Sequence, residues 1–108
     1  MSRHAPSHEP VGRHVVCDLG DARRAAEVIG AIRPDAVIHT QALSDVDRCE
    51  REPEAARAQN VDATAHLIRA LKRAGGTSGR GRRQALVVYV STDYVFDGTK
   101  GAPYIEED

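Results

Sequence analysis

Four adjacent polar side chains follow an apolar run near the end of the sequence. In VVYVSTDYVFDG, residues 87 to 98, the run gives way to Ser91, Thr92, Asp93 and Tyr94. Hydroxyl, carboxyl and phenol groups donate and accept hydrogen bonds, and a buried strand that ends in such groups often delivers them to a site at the sheet edge. The same hydroxyls could instead satisfy backbone groups where the strand becomes a loop. The rest of the chain decides between these interpretations.

The elements that would position these groups alternate between strand and helix. HVVCDL, residues 14 to 19, predicts a short strand. A helix is predicted over residues 21 to 33, because Asp21 can cap it and Pro34 ends it. DAVIHT, residues 35 to 40, predicts a second buried strand.

The second half repeats this order. EPEAARAQNVDATAHLIRALKRAGG, residues 52 to 76, predicts the longest helix, preceded by a loop or one short turn over residues 44 to 53. Spacings of three and four predict its buried face: Ala58, Val61, Ala65, Ile68 and Leu71. TSGRGRRQ, residues 77 to 84, predicts a solvated loop, with anion binding as the alternative. ALVVYV, residues 85 to 90, predicts a third strand, and a turn-rich tail follows.

Strand, helix, strand, helix, strand predicts an α/β fold with a parallel sheet and crossover helices. Ligands of such sheets bind beyond the carboxyl ends of the strands. The three predicted strands end at Asp18-Leu19, at His39 to Ala42 and at Ser91 to Tyr94, all in polar or small groups. One shared crevice at that edge follows from the residues alone.

Composition narrows the class of protein. The 108 residues carry a formal net charge of -1, which gives no general attraction to nucleic acid or to an anionic membrane. No run approaches the length of a membrane span, and the first ten residues lack the apolar core of a signal peptide. Cys17 and Cys49 form no metal-binding spacing and are expected to be reduced thiols. We therefore expect a soluble cytoplasmic protein, with residues 1 to 13 as a disordered arm and no metal site.

The strand ends and their flanks resemble a known family. DLGDA, IRPDAVIHTQALSDVDRCEREPE, AQNVDAT and VSTDYVFDGTKGAPYIEED, within residues 14 to 76 and 85 to 108, are similar to the dTDP-4-dehydrorhamnose reductase branch of the extended short-chain dehydrogenases/reductases. STDYVFDGT is the most specific match. The resemblance implies a Rossmann-like, doubly wound sheet and reduction of a keto group on a nucleotide-linked sugar with NADPH or NADH. The non-catalytic regulatory subunit of methionine adenosyltransferase shares this branch.

The resemblance gives the strand ends roles in binding a dinucleotide. The positions that match cofactor contacts are Asp18, Leu19, Thr40, Gln41, Ala42, Ser44, Asn60 and Ser91. Asp18 would accept from the adenine amine, although it could also be solvated or cap the next helix. Gln41 stands where the family has Ala, and its longer side chain would narrow the groove along which the dinucleotide lies. Asn60 would face the site, or it could point to solvent.

The resemblance also assigns the residues of the opening stretch. Thr92 matches the catalytic hydroxyl, which donates to the substrate carbonyl oxygen as negative charge grows there during hydride transfer. Ser91 supports it, and Asp93 and Tyr94 match substrate-facing positions.

Two parts of that machinery are not in the sequence. The family's proton donor is a Tyr followed four residues later by Lys, and no Tyr of this chain has that partner. A Gly-rich phosphate loop before Val15 is also missing; Arg3 and His4 are at most a weak sign of a loop that reads a 2′-phosphate. Residues 14 to 108 are thus expected to form a partial NAD(P)-binding domain that is inactive alone and binds dinucleotide weakly.

Three functions stay open at this point: part of a sugar-nucleotide reductase, a non-catalytic nucleotide-binding regulatory subunit, or an interaction module or truncated reading frame without independent function. The doubly wound order, 3-2-1-4-5, places two further strands between the first predicted strand and the second. Because both would then have unpaired edges, we expect residues 14 to 18 to pair directly with residues 35 to 39. Any edge left open would favour self-association.

Overall fold

The computed structural model describes residues 12 to 75 and 84 to 108. Its first helix, α1, spans Ala22–Ile32 and begins where predicted, because the Asp21 carboxylate accepts from the backbone N–H groups of Arg23 and Arg24. Arg33 ends the helix in the left-handed conformation (φ 50°) and donates its N–H to the Ile29 carbonyl. Pro34 follows directly and cannot continue the helix.

The sheet has two parallel strands in the described residues. β1 spans Ala36–His39 and β2 spans Leu86–Tyr89, with Ala36 opposite Leu86 and His39 opposite Tyr89. Both were predicted, each slightly longer than it is. A parallel pair needs a long crossover connection, and the helices between the two strands provide it.

That crossover contains more helix than predicted. α2 spans Val46–Arg51, α3 spans Pro53–Arg57, a π-helical turn spans Ala58–Asp62, and α4 spans Ala63–Gly75. The Ala63 N–H bonds to the Ala58 carbonyl, five residues earlier, which is the spacing of a π turn. Among the described helices, none is long and apolar enough to cross a membrane.

The core lies between α1, α4 and one face of the sheet. Ile29 from α1 packs with Leu67, Ala70 and Leu71 from α4. Val37 of β1 and Val87 of β2 lie opposite each other and both pack against this cluster. The other sheet face is open: 72 % of Ile38 and 65 % of Leu86 are exposed. One sheet face thus carries the described core.

The strand predicted over residues 14 to 19 is wrong. Residues 13 to 18 form no ladder, and the described sheet contains only β1 and β2. The His66 Nδ1–H of α4 donates to the Leu19 carbonyl at 2.9 Å, and the Leu19 side chain packs against the helical core. Since α4 holds the end of this segment, pairing with residues 35 to 39 does not form, and the three-stranded order fails with it. The α/β class is confirmed.

The predicted face of the long helix is displaced. The buried residues of α4 are Ala63, Leu67, Ala70 and Leu71, whereas Val61 is 54 % exposed. The π turn adds one residue to the helical path, so a face counted at α-helical spacing across it leaves the core side. Only Leu71 belongs to both sets.

The loop predicted over residues 44 to 53 contains helix α2. Asp45 caps it by accepting from the Arg48 N–H at 2.9 Å, and Arg48 pairs with Glu52 one turn later. None of its residues is buried, so it has no apolar periodicity from which a helix could be predicted. The predicted loop over residues 77 to 84 and the arm over residues 1 to 13 lie almost wholly outside the described residues.

Candidate functional site

The carboxyl ends of β1 and β2 bring two predicted site segments side by side. The Val90 N–H donates to the His39 carbonyl at 3.0 Å, which extends the ladder one residue beyond β2. The chain therefore leaves both strands at the same edge of the sheet, after His39 in β1 and after Val90 beyond β2. The residues that follow them are the predicted cofactor loop, Thr40 to Ser44, and the stretch Ser91 to Tyr94. The structure thus joins at one edge what the sequence separates by about fifty residues.

Thr92 caps a short 3₁₀ turn over Asp93–Val95. Its hydroxyl oxygen accepts from the Tyr94 N–H at 3.3 Å, and its hydrogen is donated to the Asp93 carboxylate at 3.2 Å. The Thr92 hydroxyl therefore satisfies a backbone N–H where the strand becomes a loop, which was the alternative interpretation of this stretch. Thr92 is exposed, so a ligand can reach its hydroxyl. Because a hydroxyl has one hydrogen, it can donate to a carbonyl oxygen only after its bond to Asp93 breaks.

Asn60 is close to this edge, but its side chain is occupied by the backbone. Its Oδ1 accepts from the Leu43 N–H at 2.7 Å, and its Nδ2 donates to the Leu43 carbonyl at 3.2 Å. The Cys49 thiol donates to the same carbonyl at 3.4 Å. The predicted solvent-facing alternative for Asn60 is therefore not what the structure shows. Asn60 holds the loop that follows β1.

A buried histidine lies beneath the same loop. His39, at the end of β1, is 4 % exposed, and its Nε2 is 2.9 Å from the Thr64 hydroxyl. Its ring lies 5.5 Å from the Tyr89 ring, centroid to centroid. Burial lowers the pKa of His39 below the ordinary 6.5, because a charged imidazole would lose its hydration there. His39 is therefore neutral at pH 7.

Sequence reasoning missed the pair of His39 and Thr64, although two signals were present. A histidine inside the apolar run DAVIHT has to find a partner if it is buried. Thr64 stands four residues after Asn60, the spacing at which a threonine hydroxyl reaches back to a helical carbonyl. Nothing local says that the two signals belong together.

The other predicted cofactor residues, Asp18 and Leu19, have contacts of their own. The Asp18 carboxylate accepts from the Gly20 N–H at 2.8 Å, and its carbonyl accepts from the Asp21 N–H at 3.2 Å. Leu19 is half-buried against the core. The helix cap is Asp21, not Asp18. The described hydrogen bonds thus place Asp18 in a local turn before α1.

Two further features of the described residues concern ligands. A small apolar recess between α4 and the start of β2 is lined by Leu71, Lys72 and Val87, among others, and so lies at the opposite end of β2 from the candidate edge. In residues 12 to 75 and 84 to 108, no three His, Cys, Asp or Glu side chains come together in a way that could hold a metal ion. Cys17 and Cys49 are free thiols, and burial raises the pKa of Cys17.

Residues 3 to 108 match the family model described as the RmlD substrate binding domain. The chain is 42 % identical over 91 residues to a dTDP-4-dehydrorhamnose reductase of Burkholderia thailandensis, a match that covers 84 % of this chain and 28 % of the relative. It is 35 % identical over 91 residues to the methionine adenosyltransferase 2 subunit beta of Pongo abelii, covering 84 % of this chain and 24 % of that protein.

The fold is similar to a crystal structure described as a hypothetical dTDP-4-dehydrorhamnose reductase from Sulfolobus tokodaii. The TM-score is 0.74 at 39 % identity, and the likeness covers 98 % of this chain and 37 % of that one. The chain spans only about a quarter of the length of the curated relatives described above. The family model, the Burkholderia relative and the Sulfolobus structure therefore agree that this region resembles dTDP-4-dehydrorhamnose reductases.

Proposed function

Because the chain belongs to the family of RmlD substrate-binding domains, we propose that its strand edge is one wall of a reductase site for NADPH or NADH and a nucleotide-linked sugar. Residues 14 to 108 would then be part of a Rossmann-like, doubly wound dinucleotide-binding domain that works in the cytoplasm. The reaction would be reduction of a keto group on the sugar.

The adjacency of the two loops at this edge carries the proposal. Because the Val90 N–H bonds to the His39 carbonyl, the cofactor loop that begins at Thr40 and the Thr92 stretch leave the sheet at the same edge. Ligands of parallel sheets bind at this carboxyl edge. A cofactor lying along one loop would present its reacting end to the hydroxyl of the other.

The described residues fit one wall of such a cofactor site. Thr40 and Ala42 are exposed, and Ala42 has a side chain small enough to let the backbone approach a dinucleotide. Gln41 is half-buried and would narrow the groove. Asn60 would serve by shaping the loop, because its amide is held by Leu43. NADPH or NADH would supply the hydride when bound.

Thr92 is the proposed catalytic residue. Its hydroxyl would leave the Asp93 carboxylate and donate to the substrate carbonyl oxygen, where a donor stabilises the charge that develops. Ser91, Asp93 and Tyr94 flank it, and Tyr94 is 77 % exposed, free to contact a sugar or base. No Tyr in the sequence is followed four residues later by Lys, so these residues supply no second proton donor of the family's kind.

A titration of the ¹⁵N-labelled chain with NADPH, followed by NMR, tests the proposal. We expect weak binding in fast exchange, with a Kd on the order of 1 mM, and shifts at the amides of residues 40 to 44 and 91 to 94. Gln41→Ala should tighten binding, because it widens the groove. Gln59→Ala changes an exposed glutamine in the π turn and is the matched control.

Two outcomes contradict the proposal, and a third contradicts the expected weak affinity. Shifts outside the two loops would move the site elsewhere, and no shift at saturating NADPH or NADH would remove it. Micromolar affinity would show that the missing phosphate loop is dispensable or replaced. Gln59→Ala must leave the shifts unchanged for the Gln41→Ala result to count.

A non-catalytic regulatory role is the second candidate. The 35 % identity to a methionine adenosyltransferase beta subunit favours it. This role predicts a stable complex with a methionine adenosyltransferase catalytic subunit. Co-sedimentation of the two purified proteins distinguishes the candidates, since the reductase proposal expects no complex.

A further inference from the structure

The loop between β1 and α2 is tied at both ends to the same residue of the helical crossover. Three residues, Thr40, Gln41 and Ala42, lie between His39 and Leu43. His39 reaches Asn60 through Thr64, and Leu43 reaches it directly. The two ties therefore meet at Asn60, one on its carbonyl and the other on its side-chain amide.

The tie at His39, which runs through Thr64 to the Asn60 carbonyl, has a defined direction of donation. The Thr64 hydroxyl donates to the Asn60 carbonyl at 3.0 Å. A hydroxyl has one hydrogen, so its bond of 2.9 Å with His39 requires Nε2–H of the ring to be the donor. The geometry thus assigns the Nε2–H tautomer to the neutral, buried His39.

The tie at Leu43, which is the far end of the loop, satisfies both backbone polar groups of Leu43 with the Asn60 side chain. The bonds of 2.7 Å and 3.2 Å to Asn60 mimic the pairing of a neighbouring strand, at a point where the chain has already left the sheet. Asn60 lies in the π turn, and π turns are frequent at functional sites. A shift of this turn would displace Leu43 with it.

We propose that His39 and Thr64 are positioning residues that, together with Asn60, form a two-point clamp on the loop of residues 40 to 42. The clamp fixes the path of that loop relative to the helical crossover before any ligand binds. The inference deepens the proposed function, because it rests on that loop being the cofactor wall. Neither His39 nor Thr64 needs to touch the ligand.

The clamp is tested first without any ligand, in the full chain. Thr64→Val removes the hydroxyl at nearly constant volume, and Thr64→Ser restores it. We expect Thr64→Val to change the ¹⁵N signature of His39 from the pure Nε2–H tautomer to a mixture. Hydrogen exchange at the amides of residues 40 to 43 should become about fivefold to tenfold faster, while that of Ile29 in α1 stays unchanged. Thr64→Ser should behave as the wild type.

Variants of Asn60 and His39 test the other two residues of the clamp. Asn60→Asp keeps the acceptor for the Leu43 N–H but loses the donor to the Leu43 carbonyl, so it should loosen only the far end. His39→Gln keeps an N–H donor toward Thr64 and should preserve loop protection. His39→Gln also tests the clamp if Thr64→Val does not fold. The comparison is then with His39→Leu, which has no donor toward Thr64. If loop exchange becomes as fast in His39→Gln as in His39→Leu, the clamp is overturned.

Two results with Thr64 overturn the inference outright: an unchanged tautomer and loop exchange in Thr64→Val, or a Thr64→Ser variant that behaves like Thr64→Val. The NADPH titration separates this failure from that of the proposed function. If the ligand-free readouts change as expected but NADPH shifts are the same in Thr64→Val and wild type, the clamp stands and the loop's role as a cofactor wall fails.

Discussion

The Tyr104 hydroxyl donates to the Asp97 carboxylate at 3.3 Å, and this bond closes the tail of the chain on itself. The Tyr104 ring stacks on Phe96, 4.1 Å apart between centroids. Asp97 also accepts from the Thr99 N–H at 2.9 Å and from the Thr99 hydroxyl at 2.8 Å. These bonds hold the pKa of Asp97 below its usual range, chiefly through the Thr99 backbone. Asp97 is thus the centre of a small unit beside the candidate edge.

We expect Asp97→Ala to open this unit. Without the carboxylate, the Thr99 N–H and hydroxyl lose their acceptor, so exchange of the Thr99 amide should become about fivefold to tenfold faster. Asp97→Asn is the matched control, because its amide oxygen still accepts from Thr99. Amide exchange by NMR gives both values. Equal exchange in the alanine and asparagine variants would show that Asp97 is not the hub.

The pH dependence of stability should contain a contribution from His39. Burial lowers its pKa in the folded protein below the ordinary 6.5, so below pH 6.5 the unfolded chain binds more protons at this residue than the folded one. The contribution to stability is therefore complete above pH 6.5 and is lost as the pH falls below that value. Urea unfolding at pH 7.5 and pH 5 measures it.

His39→Gln keeps an N–H donor toward Thr64 and does not titrate. Its free energy of unfolding should fall less between the two pH values than that of the wild type, since all other titrating groups are shared. The same fall in both proteins would mean that His39 is protonated as readily in the folded state as in the unfolded one. The sign of the difference follows from burial alone.

Parts of the fold that depend on neighbouring residues could be predicted from the sequence. The cap at Asp21, the end of α1 before Pro34, and the two paired strands all follow from local residue types. The resemblance also assigned the loop from Thr40 and the stretch from Ser91 to one site, and the ladder brings the starts of both segments to the same edge. Local chemistry and one motif were enough for these.

What failed depends on contacts between distant residues or on features without an apolar pattern. Residues 14 to 18 form no ladder, and the segment that follows them is bonded to α4 between His66 and Leu19, which are 47 positions apart. The π turn shifts the buried face of α4 without any residue type that announces it. Helix α2 buries none of its residues. A period count of apolar residues cannot find these features.

The isolated chain should not reduce a keto sugar nucleotide. Thr92 can donate one hydrogen bond, but reduction also needs a proton donor and a grip on the pyrophosphate, and the sequence holds neither the Tyr and Lys pair nor the Gly-rich loop. An NADPH oxidation assay with a dTDP-linked 4-keto sugar should give the buffer rate. Turnover that disappears in Thr92→Val would refute this expectation and would show that Thr92 acts without the Tyr and Lys pair.

The open face of the sheet should make the chain self-associate. Ile38 and Val88 lie opposite each other on this face, with 72 % and 47 % of their surfaces exposed, beside Leu86. Burying such a patch against a second copy is favourable by about 25 cal/mol per Å² of apolar surface. Within the part of the chain that the structure describes, each strand of the sheet also has an open edge. Sedimentation velocity should therefore show a mass that increases with protein concentration.

Ile38→Lys should abolish this increase, because a lysine ammonium at the centre of the patch would lose its hydration in the contact. Val16→Lys is the control: Val16 is 64 % exposed and lies outside the sheet, so the same change of charge there should leave association intact. If Val16→Lys dissociates the chain as well, net charge and not the sheet face controls association. A wild-type chain that sediments as a monomer at all concentrations would show that the exposed face of Ile38 and Val88 needs no cover.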